Sequence, residues 1–257
     1  MRLIDWNISY AGEISSKIRY LKSILTDDSV LLLQEVKPTA YLALKAEFGS
    51  RFDLYYSLDY RRPGRFDREA RKLGVLIAVK KGVPVTRAGV IERSPFPDRT
   101  MYVETDDDNQ TLKLLALHSL TGVGYLATKS VQFDSFSEFL NDYQPDVIGI
   151  DANEPKQDHY DYNKMVFFDN GPGARGFFEE AANIGLKDAY ILSHAEHAMM
   201  NGVPLATSHI VKGRGPVRYD HLFVRKEMKI SKIGYHYEEA VAAGCDHALL
   251  ICDIVRE

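Results

Sequence analysis

The amino-acid sequence predicts a layered α/β domain whose β-sheet or sheets contain both parallel and antiparallel strands. Strand-like and helix-like segments alternate through all 257 residues. The connections between them include hairpins and helical crossovers, which together produce sheets of mixed direction. No Gly/Ser/Pro-rich linker interrupts the alternation, so residues 1–257 are predicted to form a single domain. The pattern alone leaves open whether there is one sheet or two.

In the first part of the chain, hydrophobic spacing assigns each element. Short continuous apolar runs predict buried strands, and apolar residues at helical spacing, such as Ile14, Ile18 and Leu21, predict amphipathic helices. Pro38 suits the first turn of a helix, because an N–H at that position would have no intrahelical partner. The predicted elements are, in chain order, strand 3–7, helix 14–25, strand 30–33, helix 38–48, strand 52–58 and strand 73–79.

In the second part of the chain, turn residues mark the element boundaries. The polar segment 105–110 predicts the turn of a hairpin. Pro145 follows a long helical pattern, and Gly185 follows a shorter one, so each marks a helix end. The predicted elements are strands 101–104 and 112–117, helix 126–143, strand 146–150, helix 174–184, and strands 221–224 and 248–255.

Charge limits the functions that the sequence allows. The formal net charge is −4, so the molecule as a whole does not attract polyanions and any phosphate affinity must come from local groups. One basic patch lies between strands 52–58 and 73–79; it contains Arg61, Arg62, Arg65, Arg68, Arg71 and Lys72. This patch is either a phosphate-binding loop or an ordinary solvated loop.

Cysteine usage and the amino terminus bear on the compartment. The chain has two cysteines, Cys245 and Cys252, whose odd separation in a strand-like run places them on opposite faces. They are therefore predicted to be free thiols, as in a reducing compartment. The first ten residues contain no long apolar core, so they predict neither a signal peptide nor a membrane span. We expect a cytoplasmic protein without membrane contact; the oligomeric state is not defined.

Polar side chains at the ends of predicted strands are the most informative feature of the sequence. They are Asn7, Glu35, His118, Asp151, Asn153, Asp220, Asp246 and His247. Ligand sites in α/β proteins lie outside strand ends, so one shared rim would gather these groups. Carboxylate and amide oxygens suit Mg²⁺ or Mn²⁺, and a metal with a protonated imidazole offsets the charge of a phosphodiester. Taken singly, each residue is more simply a turn, cap or structural group; the ordered series favours phosphoryl transfer.

The series resembles the endonuclease/exonuclease/phosphatase superfamily over nearly the whole chain. The matching segments are Trp6-Asn7-Ile8, Leu32-Leu33-Gln34-Glu35-Val36, Leu117-His118-Ser119, Asp151-Ala152-Asn153, Arg218-Tyr219-Asp220-His221 and Cys245-Asp246-His247. Each segment is short, but all six occur in the order typical of the family. The resemblance implies a four-layer α/β sandwich like that of deoxyribonuclease I, with two packed mixed β-sheets flanked by helices.

The resemblance also implies a role for each polar residue. Glu35 would be the principal metal ligand, with Asn7 close to the metal and the scissile phosphate. Asp246 would lie near the metal. Asp151 would orient or activate the attacking water, assisted by Asn153.

Two histidines would serve the phosphate in different ways. His247 would bind and stabilise the phosphoryl oxygens, held by Asp220 as its carboxylate partner. The sequence is most similar to the deoxyribonuclease I-like branch, which implies that His118 is the acid for the leaving group. Asp59 is a candidate for the carboxylate that orients His118. Ser9 replaces the acidic residue that abasic-site endonucleases carry two positions after the first-strand Asn, which argues against that branch.

Basic residues complete the implied site. Lys37 and Arg99 stand where the deoxyribonuclease I-like branch carries phosphate contacts, and ordinary surface charge is the alternative for both. Arg61, Arg62 and Arg65, from the basic patch, would also hold substrate phosphates without reading base sequence.

The leading hypothesis from sequence is a Mg²⁺-dependent hydrolase, most simply a nuclease that cuts DNA or RNA phosphodiester bonds by in-line water attack. An alternative is a phosphatase or phosphodiesterase for a small molecule such as a nucleotide or an inositol phosphate. The residues 148–150 are Ile-Gly-Ile, whereas the inositol phosphatase branch has a Trp there. A third alternative, a binding protein on an inactive enzyme fold, predicts a missing ligand or histidine, and none is missing.

Overall fold

Two six-stranded β-sheets pack face to face at the centre of the protein. The computed structural model describes residues 1–62, 72–107, 110–125, 127–168, 171–194 and 203–255. The described strands are β1 Arg2–Asn7, β2 Ser29–Val36, β3 Phe52–Tyr56, β4 Gly74–Lys80, β5 Val85–Gly89, β6 Thr100–Asp107, β7 Gln110–His118, β8 Val147–Asp151, β9 Leu186–Asp188, β10 His209–Val211, β11 Gly215–Val217, β12 Asp220–Arg225, β13 Ile230–His236 and β14 Leu249–Ile254.

Helices connect the strands along the sequence. The described α-helices are α1 Ile14–Ile24, α2 Pro38–Phe48, α3 Ser57–Tyr60, α4 Gly122–Tyr125, α5 Ala127–Tyr143, α6 Gly173–Asn183, α7 Ala189–His194 and α8 Tyr237–Ala242. Short 3₁₀ turns occur at Pro97–Arg99 and Tyr162–Lys164.

Each sheet is mixed in direction and contains one parallel pair. The first sheet has the order β13-β14-β1-β2-β4-β3, and β1 runs parallel to β2. The second has the order β5-β6-β7-β8-β12-β9, and β7 runs parallel to β8. A separate two-stranded hairpin is formed by β10 and β11. In both parallel pairs the carboxyl ends reach the same edge of the sandwich, which we call the rim.

Alternating side chains of the central strands build three apolar layers. Leu32 of β2 and Leu114 of β7 point into the cluster between the two sheets. Their sequence neighbours Leu33 and Leu115 point outwards, one to each outer cluster. Because these strands are covered on both faces, they read in the sequence as continuous apolar runs.

Helices cover both outer faces of the pair of sheets. On the first sheet, α1 and α2 contribute residues such as Leu21 and Leu44 to the outer cluster. On the second sheet, α5 and α6 contribute Phe133, Phe136 and Phe177. The layers are therefore helix, sheet, sheet and helix, which confirms the predicted four-layer α/β sandwich.

The predicted strands and helices are all present and differ from the structure mainly at their ends, but strands β5, β9, β10, β11 and β13 and the short helices α3, α4 and α8 were not predicted. The strand predicted over 52–58 ends at Tyr56, because Ser57 starts α3 and its Oγ donates a hydrogen bond to the carbonyl of Asp98 at 2.6 Å. Cys245 lies in the turn before β14 and not within the strand; it and Cys252 are both free and buried. Of the predicted turn 105–110, residues 105–107 belong to β6 and Gln110 belongs to β7, while residues 108 and 109 lie outside the described residues. No helix in the described part of the chain is long and apolar enough to cross a membrane.

Candidate active site

Strand ends from both sheets meet at the rim. In the second sheet, His118 at the end of β7 is aligned with Asp151 at the end of β8, and Asp151 is aligned with Asp220 at the start of β12. The first sheet adds Asn7, whose Nδ2 donates to Asp151 Oδ2 at 2.8 Å. This hydrogen bond crosses from one sheet to the other. The packing of the two sheets therefore gathers the predicted residues, although they are far apart in the sequence.

Close approach of the sheets below the rim depends on a glycine. Gly149 of β8 faces Asp5 of β1, and a Cβ at position 149 would overlap the Asp5 carboxyl group. Asp5 is fully buried and accepts a hydrogen bond from Gln34 Nε2 at 2.7 Å. Burial raises the pKa of Asp5 well above its ordinary value. Position 149 therefore requires a glycine, because a larger side chain would collide with Asp5 between the two sheets.

His247 is paired with Asp220 at the rim. His247 Nδ1 lies 2.9 Å from Asp220 Oδ2, and both residues are buried. Burial alone would lower the pKa of His247, but the charge and hydrogen bond of Asp220, together with the charge of Asp151, raise it to about 10. The pair places a cationic imidazole beside Asp151, with Nε2 of the ring left for another partner.

Asp151 is a buried carboxylate held by two donors. It accepts hydrogen bonds from Asn7 Nδ2 at 2.8 Å and from the backbone N–H of Asn153 at 3.0 Å. Burial and the nearby charge of Asp220 raise its pKa to about 7, while His247 and the hydrogen bond from Asn7 act in the opposite direction. A carboxylate with this pKa can accept a proton near neutral pH.

Asn153 adopts a left-handed backbone conformation, which is uncommon for residues other than glycine although Asn is enriched there. Its φ is 49°, in the left-handed region, and its Nδ2 donates to the carbonyl of Ser119 at 3.3 Å. Non-glycine residues in this region are strained, and such residues are frequent at functional sites. The turn after β8 therefore holds Asn153 against Asp151 at a cost in backbone energy.

Glu35 is presented by an irregularity in β2. The pairing register of β2 with β4 shifts between Leu33 and Val36, and Glu35 has a φ of 57°. One carboxylate oxygen accepts from the backbone N–H of Tyr10 at 2.9 Å, and the other lies 3.6 Å from His118 Nε2. The side chain is only 17 % exposed. A bulge of this kind turns the carboxylate out of the sheet and towards the rim.

His118 lies against Arg99 in a buried environment. Arg99 Nη1 is 2.9 Å from Nδ1 and 3.0 Å from Nε2 of His118, and the ring also lies 3.7 Å from Asp151 Oδ2. Burial, followed by the charge of Arg99, holds the pKa of His118 well below its ordinary value. Asp59 is exposed and the His118 side chain is buried, and the carboxylates near the ring are Glu35 and Asp151. Asp59 is therefore not the orienting carboxylate.

The remaining predicted cations occupy different environments. Arg99 is buried at the rim rather than displayed on the surface. Lys37, next but one to Glu35, is exposed, and its Nζ lies 5.0 Å from the ring centroid of Tyr10. Arg61 and Arg62 come directly after α3. Ser57, the first residue of α3, donates a hydrogen bond to the carbonyl of Asp98, in the turn that also carries Arg99. Arg65, with Arg68 and Arg71, lies outside the described residues.

Oxygen and nitrogen atoms at the rim could hold a metal ion. Two groups of ligand atoms each lie within 4.8 Å of one another in the described part of the chain: Asp151, Asp220 and His247, and also His209, Asp246 and His247. Asp246 is exposed. Glu35 and the amide oxygen of Asn7 add hard oxygen donors on the side of the first sheet. The oxygen donors in this set fit a divalent cation that prefers oxygen, whereas His247, protonated in its pair with Asp220, has no free lone pair for a metal.

Several contributors to the rim were not predicted from sequence. His209 stacks on His247 with ring centroids 4.4 Å apart, and its Nδ1 lies 2.8 Å from the carbonyl oxygen of Asp246. No sequence signal marks His209, because β10 is only three residues long. Lys129 forms a buried ion pair with Glu154 at 2.7 Å and donates to the carbonyl of Asn153 at 2.8 Å. The sequence did contain a signal for Lys129, because this lysine lies four residues before Phe133 and therefore on the apolar face of α5.

Comparison with known proteins identifies the architecture. No protein-family model and no curated protein matches the chain. The structure is similar to that of D. rerio TDP2 complexed with single-strand DNA product, with a TM-score of 0.67 and 14% identity, covering 100% of this chain and 99% of that one. It is also similar to the human Nocturnin catalytic domain with bound sulfate, with a TM-score of 0.66, 14% identity and coverage of 99% and 94%. For ANGEL2, a 2′,3′-cyclic phosphatase, the TM-score is 0.66 at 14% identity, with coverage of 98% and 94%.

These similarities extend over the whole length of the chain, although the sequence identities are low. They match the two helix-covered mixed sheets described above. The chain therefore shares the fold of these proteins, which is the deoxyribonuclease I-like four-layer sandwich expected from the sequence.

Proposed function

We propose that this protein is a divalent-metal-dependent phosphodiesterase, and specifically a nuclease that hydrolyses DNA or RNA. The observation that carries the proposal is the pairing of His247 with Asp220 at 2.9 Å beside Asp151, because it sets a cationic imidazole next to a candidate base. The likeness in fold to TDP2 bound to a DNA product supports a nucleic acid substrate.

Glu35 and Asn7 are the residues that would hold the metal, with Asp246 near it. The proposed ion is Mg²⁺, for which Mn²⁺ could substitute, because the donors are carboxylate and amide oxygens. When bound, such an ion supplies positive charge that stabilises the phosphate oxygens of the transition state. The backbone N–H of Tyr10 fixes one oxygen of Glu35 and leaves the other directed to the rim.

Asp151 is the proposed base for the attacking water. Its pKa of about 7 makes it a proton acceptor matched to neutral pH. Asn7 and the backbone of Asn153 fix both carboxylate oxygens, so the direction of the free lone pairs is set before substrate binds. The carboxamide of Asn153 is held by Ser119 and stands beside the same water position.

His247 and His118 serve different oxygens in this proposal. His247, protonated through its pairing with Asp220, donates a hydrogen bond to a non-bridging phosphoryl oxygen and stabilises its charge. His118 is the proposed acid for the leaving oxygen. Before substrate binds, burial and Arg99 hold its pKa low; a phosphodiester beside Arg99 adds a negative charge that favours the protonated imidazole.

Basic side chains are the proposed contacts to neighbouring phosphates. They are Lys37, Arg61, Arg62 and Arg99, together with Arg65, which lies outside the described residues. Contacts of this type position a strand without reading its bases. Cleavage should therefore weaken as salt is added, because bound cations release counterions from the nucleic acid. Nucleic acid cleavage that is insensitive to salt would contradict this part of the proposal.

The test is cleavage of labelled single- and double-stranded DNA and RNA by wild type and by His247→Ala, with Mg²⁺ or with EDTA. We expect metal-dependent cutting that is lost in the variant. His194→Ala is the matched control, because His194 ends α7 away from the rim. A folded, metal-loaded wild type that cuts no polymer would refute the nuclease assignment.

A second candidate function is hydrolysis of a small phosphorylated molecule. The net charge of −4 and the likeness in fold to ANGEL2, solved with adenosine-2′,3′-vanadate, favour it. Turnover of p-nitrophenyl phosphate compared with that of a fluorescent oligonucleotide separates the two candidates.

A further inference from the structure

A cleft of about 530 Å³ lies beside the candidate active site, on the side of strands β8 and β12. One wall is formed by residues 155–159, directly after the β8 turn, and another by the β10–β11 hairpin with Arg214 and Pro216. Its volume falls within the range of roughly 300–1,000 Å³ that is usual for small-ligand sites. None of the residues given a role in the proposed mechanism lines this cleft.

Basic side chains dominate the polar part of the cleft. Lys156, Lys164 and Arg214 line it, and all three are exposed. Within the described part of the chain, neither lysine forms an ion pair. The charge of the carboxylate in the wall, Asp158, is partly offset, because its two oxygens accept from Arg218 at 2.7 and 2.9 Å. The cleft therefore presents positive charge that an anionic ligand can neutralise.

A series of side-chain contacts links the cleft to the proposed catalytic residues. It begins two residues after Asn153. On the other side, Arg214 Nη1 donates to Tyr219 Oη at 3.0 Å, and the Tyr219 ring lies 6.4 Å from that of His209. His209 in turn stacks on His247. The cleft is therefore linked to His247 through Arg214, Tyr219 and His209.

The cleft also has apolar walls, which restrict the kind of anion that fits. They are supplied by Pro155, Val203, Pro204, Pro216 and Val217. A nucleotide combines a phosphate with a flat, largely apolar base, so it matches both parts of the lining. A phosphorylated inositol has the charge but no apolar face, and it would leave these walls without a partner.

We propose that this cleft binds the nucleotide next to the scissile phosphate of a polynucleotide strand, with Lys156 and Lys164 on its phosphate and the proline-rich wall against its base. The inference rests on the proposed phosphodiesterase function and makes the substrate a strand rather than a single nucleotide. Arg214 lies 4.8 Å over the ring of Phe168 and is bound to the carbonyl of Lys156, so it holds the cleft walls in place.

The experiment compares wild type with Lys156→Gln/Lys164→Gln on three substrates in Mg²⁺. They are a labelled single-stranded DNA oligonucleotide, the p-nitrophenyl ester of thymidine 5′-monophosphate, and bis(p-nitrophenyl) phosphate. On the oligonucleotide we expect kcat/KM to fall about tenfold through KM, and the slope of log(kcat/KM) against log[salt] to become shallower by roughly 1.4, which is about 0.7 per lost cation. On the two small esters we expect no change. Lys80→Gln/Lys226→Gln is the control, because both lysines are exposed at the opposite end of the sandwich.

The outcomes separate this inference from the proposed function. A wild type that hydrolyses none of the three substrates refutes the phosphodiesterase itself. If wild type cleaves them and the double variant cleaves the oligonucleotide equally well, the cleft binds no part of the strand. If kcat/KM fell equally on the oligonucleotide and the thymidine ester, the cleft would hold the scissile nucleotide and not its neighbour. If kcat/KM fell equally on all three substrates, the lysines would support catalysis in general. Each of these results overturns the inference.

Discussion

At the scale of single residues, the two rim histidines show that the surroundings of an imidazole decide whether its protonated or its neutral form is favoured. His247 has a carboxylate partner in Asp220, and its pKa is raised to about 10. His118 has the guanidinium of Arg99 as its nearest partner, and its pKa is held well below the ordinary value. Pairs of titratable groups with separated pKa values are typical of acid–base catalysis. The sequence shows two histidines, but only the contacts show which one carries charge.

The first prediction concerns Asp220. In Asp220→Asn the imidazole of His247 keeps a hydrogen-bonding neighbour but loses the charge that stabilises its protonated form. We expect kcat to fall by about 10²–10⁴, the usual contribution of such a group, with little change in KM. Steady-state kinetics measure this, and Asp253→Asn, at the far end of the sandwich, is the control. A kcat close to that of wild type in the folded variant would remove Asp220 from the mechanism.

The second prediction concerns Glu35 and has a readout independent of activity. If Glu35 is the principal metal ligand, Mg²⁺ at about a hundred times its Kd should stabilise wild type by about 2.7 kcal/mol and raise Tm. In Glu35→Gln we expect this stabilisation to be largely lost, because the ligand charge is removed. Thermal unfolding during a Mg²⁺ titration measures it, with Glu47→Gln as the control on an exposed helical surface. The same Mg²⁺-induced shift in both variants would exclude Glu35 as the main ligand.

At the scale of elements, a buried lysine holds the segment between β1 and α1 in place by hydrogen bonds. Lys17 of α1 is 2 % exposed, and its Nζ donates to the carbonyls of Ser9 at 2.8 Å and Ala11 at 2.5 Å. Burial lowers its pKa, while the charges of the Asp246 and Glu35 carboxylates act in the opposite direction. The same segment carries the N–H of Tyr10 that binds Glu35. Helix α1 therefore helps to position Glu35, the proposed metal ligand, through this segment.

A third prediction follows for Lys17→Met. The two carbonyls would lose their donor at a cost of about 1 kcal/mol each, because Ser9 is half-buried and Ala11 is exposed, so that water can replace the donor. We expect the Mg²⁺ concentration for half-maximal activity to rise several-fold, because the Tyr10 contact to Glu35 loosens. Lys22→Met, on the exposed face of the same helix, controls for loss of a lysine. A variant that is less stable but has an unchanged Mg²⁺ dependence would show that Lys17 only stabilises the fold.

At the scale of the whole molecule, the buried layers were predictable and the edges were not. Runs such as 30–33 and 147–150 are apolar because both faces of their strands are covered, so composition alone marks them. The edge strand β13 (Ile230–His236) is half-buried, with mixed polarity, and β10 and β11 have three residues each, so neither periodicity nor length identifies them. His209 was missed for the same reason. The strand-end positions of Asp151 and Asp220 were predictable, whereas the contact of Asp151 with Asn7 at 2.8 Å and that of Asp220 with His247 at 2.9 Å depend on how the two sheets pack.

A buried charge network ties the second sheet to the loops beside the site. Arg218, directly before Tyr219 and β12, is fully buried between Asp158 and Asp188. His221 Nδ1 lies 2.9 Å from Asp188 Oδ2. Burial by itself raises the pKa of Asp188, but the charge of Arg218 and the hydrogen bond from His221 outweigh it and hold that pKa well below its ordinary value. Folding is therefore coupled to the ionisation of Asp188.

The last prediction concerns the acid stability that this coupling produces. Because the folded-state pKa of Asp188 is lowered, its contribution is fully present above the unfolded pKa of roughly 3.9 and is lost as the pH falls through the folded-state value. We expect Asp188→Asn to destabilise the protein at pH 7 by roughly 3–5 kcal/mol, since Arg218 loses one partner of a buried pair. Below about pH 4 the difference from wild type should shrink. Urea unfolding across this pH range measures it, with the exposed Asp27→Asn as control. A difference that stays constant into acid would mean that Asp188 stabilises the fold through packing and not through its charge.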